Sequence, residues 1–451
     1  MVSVQTSMEQ VITSLLESKK YATLRDLLTT LYPADIAAIF AELPEESLPL
    51  LFRLLPKELA ADTFVEMDEE AQEMLIRGFS DRELKDVLDE LYVDDAVDLV
   101  EEMPATVVKR ILQQTSPDMR KMINEILQYP EDSAGSIMTP EYVSLRPQMT
   151  VSEALQRIRR TGVDKETIYT CYVVTPDRKL IGIVTAKSLL LSEDDTKITD
   201  IMEENVISVN TMDDREQVAM KLGKYDFLAM PVVDQENRLV GIVTVDDAID
   251  VLTEEATEDI EKMAAITPSD KPYLRTGIFA TYKQRIPWLL LLMISATFTG
   301  MIITSFEDAL QAYVVLTAFI PMLMDTGGNS GSQASVTVIR GLSLNEIQFK
   351  DLPKVMWKEF RVAILCGITL SAANFLKLLF FDRVGALVAG VVCITLLAVI
   401  ILAKLVGCTL PMLAKKIGFD PAVMASPFIT TIVDALSLLL YFTVARALLG
   451  F

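Results

Sequence analysis

The side chains best placed for chemistry in this 451-residue sequence are carboxylates in unusual surroundings. Asp434 is the one charged residue in an apolar run from Pro421 to Ala445. A carboxylate at mid-bilayer depth costs on the order of 2.5 to 3.5 kcal/mol, so it is either a hydrogen-bond partner for a neighbouring helix or a cation ligand beside a wet path. A second stretch, MDTGGNSGSQAS from Met324, puts glycines, serines and Asn329 in the body of another apolar segment. Such residues either pack helices closely or line a pore, where Asn329 and nearby hydroxyls or carbonyls accept hydrogen bonds from the water of a hydrated ion and Asp325 adds negative field. A third stretch, TEEATEDIEKMAAI from Thr253 to Ile266, spaces Glu254, Glu255, Glu258 and Asp259 along one helical face. Like charges so placed repel by a few tenths of a kcal/mol per pair. The segment is therefore a solvated linker or a divalent-ion site that couples soluble domains to a pore.

The residue types that are missing narrow the chemistry. There is no histidine, and Cys171, Cys366, Cys393 and Cys408 form no paired metal motif. Ser-His-Asp hydrolysis and the usual zinc, copper and non-haem iron sites are excluded. A chain rich in carboxylates and without imidazole suits hard cations such as magnesium or calcium. No GxxxxGKS loop is present, so no ATP hydrolysis and no enzymatic activity is expected.

The elements that carry these groups lie in two solvents. Residues 1–282 hold 54 acidic against 28 basic residues, a balance of −26, whereas residues 283–451 hold 9 against 13, or +4. The second half contains apolar runs of bilayer length, read as five spans at 287–305, 312–339, 360–379, 384–414 and 421–449. Lys283 and Arg285, then Arg340, Lys350, Lys354, Lys358 and Arg361, then Lys415 and Lys416 fall on alternate loops, while the opposite loops carry only Glu307 and Asp308 or Lys377, Asp382 and Arg383. By the positive-inside rule, and with no signal peptide at the amino terminus, residues 1–282 are expected in the cytoplasm and the carboxyl terminus outside. The expected location is the cell membrane, with the lipid bilayer as partner and no nucleic acid.

Repeats organise the soluble half. LYPADIAAIFAELP from Leu31 recurs as LYVDDAVDLVEEMP from Leu91 and, more weakly, as LLPKELAADTFVEMD from Leu54. Their three-and-four spacing predicts amphipathic helices stacked as an all-α superhelix over 1–132. A second pair follows over 136–252. MTPEYVSLRPQMTVSEAL from Met138 is matched by MEENVISVNTMDDREQVAM from Met202, and YVVTPDRKLIGIVT from Tyr172 by PVVDQENRLVGIVT from Pro231. The offset shrinks between the two matches, which places an insertion near Arg160 to Thr170. Each copy reads strand, helix, strand, turn, strand, helix, and the two are expected to pack face to face.

The paired GIVT strands resemble a tandem of cystathionine-β-synthase (CBS) domains. That resemblance implies an α/β pair that binds adenine nucleotides such as ATP, or metal ions, as regulatory ligands. Thr244 and Asp247 match the nucleotide pattern in the second copy, whereas the first has Thr185 followed by Ser188. PMLMDTGGNSGSQASVTVIRGL from Pro321 and SPFITTIVDALSLLLYF from Ser426, together with the helical repeats, the CBS pair and the acidic linker, resemble the MgtE magnesium transporter family in its order along nearly the whole chain. The family implies a homodimer with five spans per subunit around a pore on the two-fold axis, and Asp434 as the main selectivity ligand. It also implies that 253–280 forms a plug helix ahead of a transmembrane domain at 281–451. Magnesium would bridge acidic faces at Glu216, Asp226, Asp247, Asp250, Glu255 and Glu258, and at Glu58, Asp94, Asp95 and Asp98 of the helical domain. Asp259 and Asp420 would share an ion at the pore mouth. The alternatives are transport of another divalent cation (manganese, cobalt or nickel), a CBS-regulated secondary exchanger, or a membrane-anchored nucleotide sensor.

Overall fold

The computed structural model describes residues 2–269, 273–274 and 276–450. It divides into two units, Met1–Leu252 and Thr253–Phe451.

In the first unit, ten α-helices run between Val2 and Ile126. The three sequence repeats are all helices: α1 (Pro33–Glu42), α2 (Lys57–Val65) and α3 (Val93–Glu102). Each begins after a residue with extended backbone, Tyr32, Pro56 or Tyr92, and carries an acid in its first turn, where the helix dipole favours negative charge. Their apolar faces share one core with Phe40, Leu51, Phe64, Leu75 and Val97. No single ten-residue helix could bury such a face alone.

The next part of this unit holds two three-stranded sheets. The first is β1 (Tyr142–Leu145), β2 (Thr167–Val174) and β3 (Leu180–Thr185), with helix α4 (Val151–Thr161) between β1 and β2 and α5 (Ala186–Leu191) after β3. The second is β4 (Val209–Asn210), β5 (Ala229–Val233) and β6 (Leu239–Thr244), with α6 (Arg215–Tyr225) between β4 and β5 and α7 (Val245–Met263) after β6. In both, the first strand runs parallel and the third antiparallel to the middle strand. The insertion expected near Arg160 is visible as a 3-10 turn at Gly162–Asp164 and a longer middle strand in the first copy. The copies exchange edges, for Thr139 pairs with Ile242 of β6 and Glu203 with Ile183 of β3. Tyr172, Val174, Val233 and Ile242 then bury one another as a shared inter-copy core.

The second unit is helical: α8 (Ile278–Ser305), α9 (Ile320–Ser343), α10 (Leu352–Phe380), α11 (Ala386–Lys416) and α12 (Ser426–Leu449). Among the described residues four segments are long and apolar enough to cross a membrane, namely Ile278–Ser305, Phe349–Phe380, Ala386–Lys416 and Pro421–Leu449. The second expected span differs. Instead of running on from Ala312, the chain forms a short helix Glu307–Ala312 and a 3-10 turn Val314–Phe319, and α9 starts at Ile320 with Pro321 in its first turn. Proline there has its φ preset and needs no amide partner. Helix α9 is long enough to span but is diluted by the DTGGNSGSQAS residues. Gly327, Gly328, Ser330, Gly331 and Ser335 are buried. A Cβ at Gly327 would lie 2.8 Å from Val399 of α11 and 2.9 Å from the Ser437 hydroxyl of α12, and one at Gly407 of α11 would run into the Gly331 carbonyl oxygen. Only glycine allows backbones this close.

Two other boundaries move. Helix α7 ends at Met263, so the expected connecting helix does not continue to residue 280, and 270–272 and 275 of that segment lie outside the described residues. Helices α8 and α10 start earlier than their apolar cores, which puts Lys283, Arg285, Lys354, Lys358 and Arg361 on helices rather than in loops.

Candidate functional site

Two groups of carboxylates emerge, one in each unit. In the first unit, Asp94, Asp95 and Asp98 on α3 face Asp247 near the start of α7. The Asp94 residue is 9% exposed, Asp95 is half-buried, and Asp98 keeps an open flank. Burial first, and then the Asp247 charge, raises all three carboxyls, that of Asp95 to about 7. Asp247 is itself pushed up to about 6, by burial above all, although its carboxylate accepts a 2.5 Å hydrogen bond from the Thr244 hydroxyl.

Two members of this cluster were missed from sequence. Glu141 accepts the Val93 amide at 3.0 Å at the first turn of α3. Glu166 has one carboxylate oxygen buried without a hydrogen-bond partner, and burial, then Asp246 and Asp95, raises it to about 8. Glu166 sits in the insertion of the first copy. Its partners are remote in sequence, so no spacing rule could have found it.

The other residues expected as regulatory ligands are more dispersed. Glu58 is exposed in the first turn of α2, beside Asp62, whose carboxyl is raised by burial and then by Glu58. Glu216 lies in the first turn of α6, and Asp226 caps the far end of that helix in the left-handed conformation at φ 54°. Asp250 is exposed on α7, its carboxyl raised by burial and then by Asp246. Among the described residues no group of three or more carboxylates converges tightly enough to hold a metal ion.

In the second unit, the acidic stretch continues on α7, with Glu254 exposed and Glu255 half-buried. The Lys262 ammonium sits between Glu258 and Asp420, 2.8 Å from the latter. Burial would lower Lys262, but its hydrogen bonds to Asp420 and Glu258 outweigh this and raise it. Asp259 accepts a 3.0 Å hydrogen bond from the Ser343 hydroxyl at the end of α9, and burial raises its carboxyl despite that bond. Asp259 and Asp420 are close enough to repel. The lysine that neutralises this corner was not anticipated.

Asp434 lies on α12 and is half-buried. Asp325 of α9 is within electrostatic reach of it. Asn329 is one turn beyond Asp325, both are exposed, and the Gly328 between them packs on Thr430, one turn before Asp434. The glycines thus bring α9 against α12, and the two carboxylates, Asp325 and Asp434, stand within electrostatic reach across that contact. Ser437, fully buried and three residues beyond Asp434, has a hydroxyl with no partner. Lys404, well inside the apolar helix α11, is buried against Glu359 of α10 at 3.7 Å.

Comparisons with known proteins cover this whole layout. The family model "MgtE intracellular N domain" matches residues 31–132, "CBS domain" matches 134–193 and 198–254, and "MgtE: Divalent cation transporter" matches 320–444. The magnesium transporter MgtE of Thermus thermophilus is 37% identical over 430 residues, covering 94% of this chain and 95% of the relative. That of Bacillus subtilis is 35% identical over 437 residues, 96% of this chain and 95% of the relative. Among solved structures, the cytosolic domain of the Mg2+ channel MgtE in complex with ATP is similar at 36% identity with a TM-score of 0.52, over 54% of this chain and 99% of that one. With its helical domain, paired CBS copies and apolar helices in one order and at this identity over nearly its full length, the chain belongs to the MgtE family of magnesium transporters.

Proposed function

We propose that this chain is a magnesium channel that passes Mg2+ into the cytoplasm down its electrochemical gradient and closes when Mg2+ binds its acidic soluble domains. The observation that carries the reading is that Asp325 of α9 and Asp434 of α12 stand within electrostatic reach across glycine-packed helices, with Asn329 exposed one turn beyond Asp325. Magnesium holds its waters tightly, in octahedral geometry at about 2.0 to 2.1 Å. A carboxylate with neighbouring amide and hydroxyl groups can accept hydrogen bonds from those waters without stripping them. In a homodimer the two Asp434 side chains match the ion's charge, yet the ion can leave. An apolar groove of about 660 Å³ beside Leu402, Leu405 and Ile432 is the kind of face a second subunit would cover. The membrane potential supplies roughly 2.3 kcal/mol per charge per 100 mV, hence about 4.6 for a divalent ion.

The multi-pass chain sits in the cell membrane with its amino terminus in the cytoplasm and its carboxyl terminus outside. Regulation rests on the first unit. Asp94, Asp95, Asp98, Asp247 and Glu166 hold carboxyls raised by burial and then by neighbouring acids, and such groups gain most from a bound cation. Glu58, Glu216, Asp226 and Asp250 offer further acidic faces, and Glu254, Glu255, Glu258, Asp259 and Asp420 extend the same logic to α7 and the pore mouth. The ion shifts the gate only by binding the closed state more tightly. Thr244 and Asp247, already joined by a hydrogen bond, are the pair that would receive the ribose and phosphates of an adenine nucleotide such as ATP.

Lys404 argues against an exchanger, because its charge is matched by Glu359 rather than offered to a substrate. Flux into liposomes holding the purified protein, measured with competing divalent ions across a range of internal magnesium, tests the reading. Magnesium flux that internal magnesium suppresses is expected. No divalent flux would overturn transport, and unchanged suppression after deletion of residues 1–252 would overturn the gating role.

A further inference from the structure

The first turns of α10 carry a feature that transport and gating do not use. Lys354, Lys358 and Arg361 follow one another on α10 at spacings of four and three, which places them in one stripe, and Lys350 stands just ahead of them in the 3-10 turn Phe349–Asp351. Lys354, Lys358 and Arg361 are exposed. Of the acids of this segment, Asp351 pairs with Lys354 of the stripe itself at 2.9 Å, and Glu359 is taken up by the buried Lys404. Among the described residues, Lys358 and Arg361 have no acidic partner, and Lys350 faces only Asp351, whose carboxylate is already hydrogen-bonded to Lys354. Trp357, 59% exposed, stands beside the stripe with the Arg361 guanidinium 5.8 Å from its ring centre and Phe360 stacked on it. Further along the same face the stripe continues as exposed Leu365 and Ile368. One helix face thus passes within a few turns from cations, through an amphipathic indole, to bare hydrocarbon.

That order is the chemical profile of a lipid monolayer read from phosphate to acyl chain. We propose that this face of α10 is a binding site for anionic phospholipid headgroups, with Lys350, Lys358 and Arg361 holding the phosphate and Trp357 lying at the ester level. Charge complementarity commits the site to an anionic lipid rather than a zwitterionic one, because two cations unmatched by protein acids, Lys358 and Arg361, and a third, Lys350, that shares Asp351 with Lys354 gain little from a headgroup that carries its own ammonium. The exposed Leu365 and Ile368 favour a lipid over an acidic protein segment, which would leave them uncovered. The proposal needs only that α10 crosses the bilayer, so it stands or falls apart from the transport reading.

The sequence contains two tryptophans, so the full chain with Trp288→Phe reports on Trp357 alone. This protein is placed in bilayers containing either phosphatidylglycerol or phosphatidylcholine with brominated acyl chains, and quenching is compared at equal mole fraction. At roughly fivefold per unpaired basic group near the surface, phosphatidylglycerol is expected to quench at least about tenfold more effectively. The preference should fall to within about twofold in the Lys350→Gln, Lys358→Gln, Arg361→Gln variant, and also for the unsubstituted stripe at about 1 M NaCl, where screening is short-ranged. Millimolar inorganic phosphate should not compete, since it lacks the acyl chains. Equal quenching by the two lipids, or a preference that survives both the triple substitution and high salt, would overturn the site and leave the stripe to an acidic protein segment.

Discussion

The two carboxylate groups of this molecule solve opposite problems. On α3 and α7 of the first unit, Asp94, Asp95, Asp98 and Asp247, with Glu141 and Glu166 nearby, have their carboxyls raised by burial first and then, for most, by one another's charge. In the second unit, Asp434 meets one other carboxylate, Asp325, in a seam padded by glycine. On the proposed reading, many mutually repelling acids bind a cation strongly and separate when it leaves, as a sensor must. On the proposed reading, a pair of acids per chain beside neutral polar groups attracts an ion and lets it go, as a path must. Number of charges, more than type of ligand, separates the two.

Several substitutions would break or sharpen that contrast. The largest effect is expected from Asp434→Ala, which should reduce magnesium flux in liposomes to that of protein-free vesicles while the protein stays monodisperse. Asp434→Asn should lose nearly as much, because it keeps shape and removes charge. Retained flux in either would mean the seam is not the path. Next, Asp94→Asn, Asp98→Asn and Asp247→Asn together should raise the internal magnesium needed for closure by about 100-fold, or roughly 2.7 kcal/mol of lost differential binding, with open-state flux unchanged. A parallel fall in flux would erase the division of labour.

Packing comes third. Gly407→Ala inserts a methyl against the Gly331 backbone and should destabilise the helical unit by about 1 to 3 kcal/mol, read as a lower melting temperature in detergent. The same change at Gly390, where nothing lies within 4 Å, should be near neutral.

The smaller effects concern charge balance. In chelator, a fragment of residues 1–264 carries carboxyls raised to about 6, 7 and 8 at Asp247, Asp95 and Glu166. Folding therefore retains protons that the unfolded chain has released, and stability should fall as pH rises from about 4 to about 8. Added magnesium should restore it, more at pH 8 than at pH 6, because protons compete less. A melting temperature flat across that window would dissolve the cluster. Least of all, Lys262→Met removes the cation between Glu258 and Asp420 and should shift the closure midpoint by about threefold toward lower magnesium, since the freed carboxylates can accept an ion.

Much of this was legible in the chain itself. The sixty-residue recurrence of LYPADIAAIF as LYVDDAVDLV and the doubled GIVT strands reported the architecture, because helical and strand periodicities are local and survive without tertiary context. Asp434 stood out because a lone acid among apolar residues is costly wherever it is buried. Spacing could not reveal that α9 starts at Ile320, since its polar, glycine-rich body becomes stable only when α11 and α12 shelter it. Nor could it reveal Glu166 facing Asp95 and Asp246, the Lys262 ammonium between Glu258 and Asp420, or the pairing of Lys404 with Glu359. The sequence by itself determined which groups are charged and which segments are apolar, and so which solvent each half enters. Tertiary structure alone decided which charges meet, because electrostatic energy depends on distance and burial in space, and chain separation encodes neither.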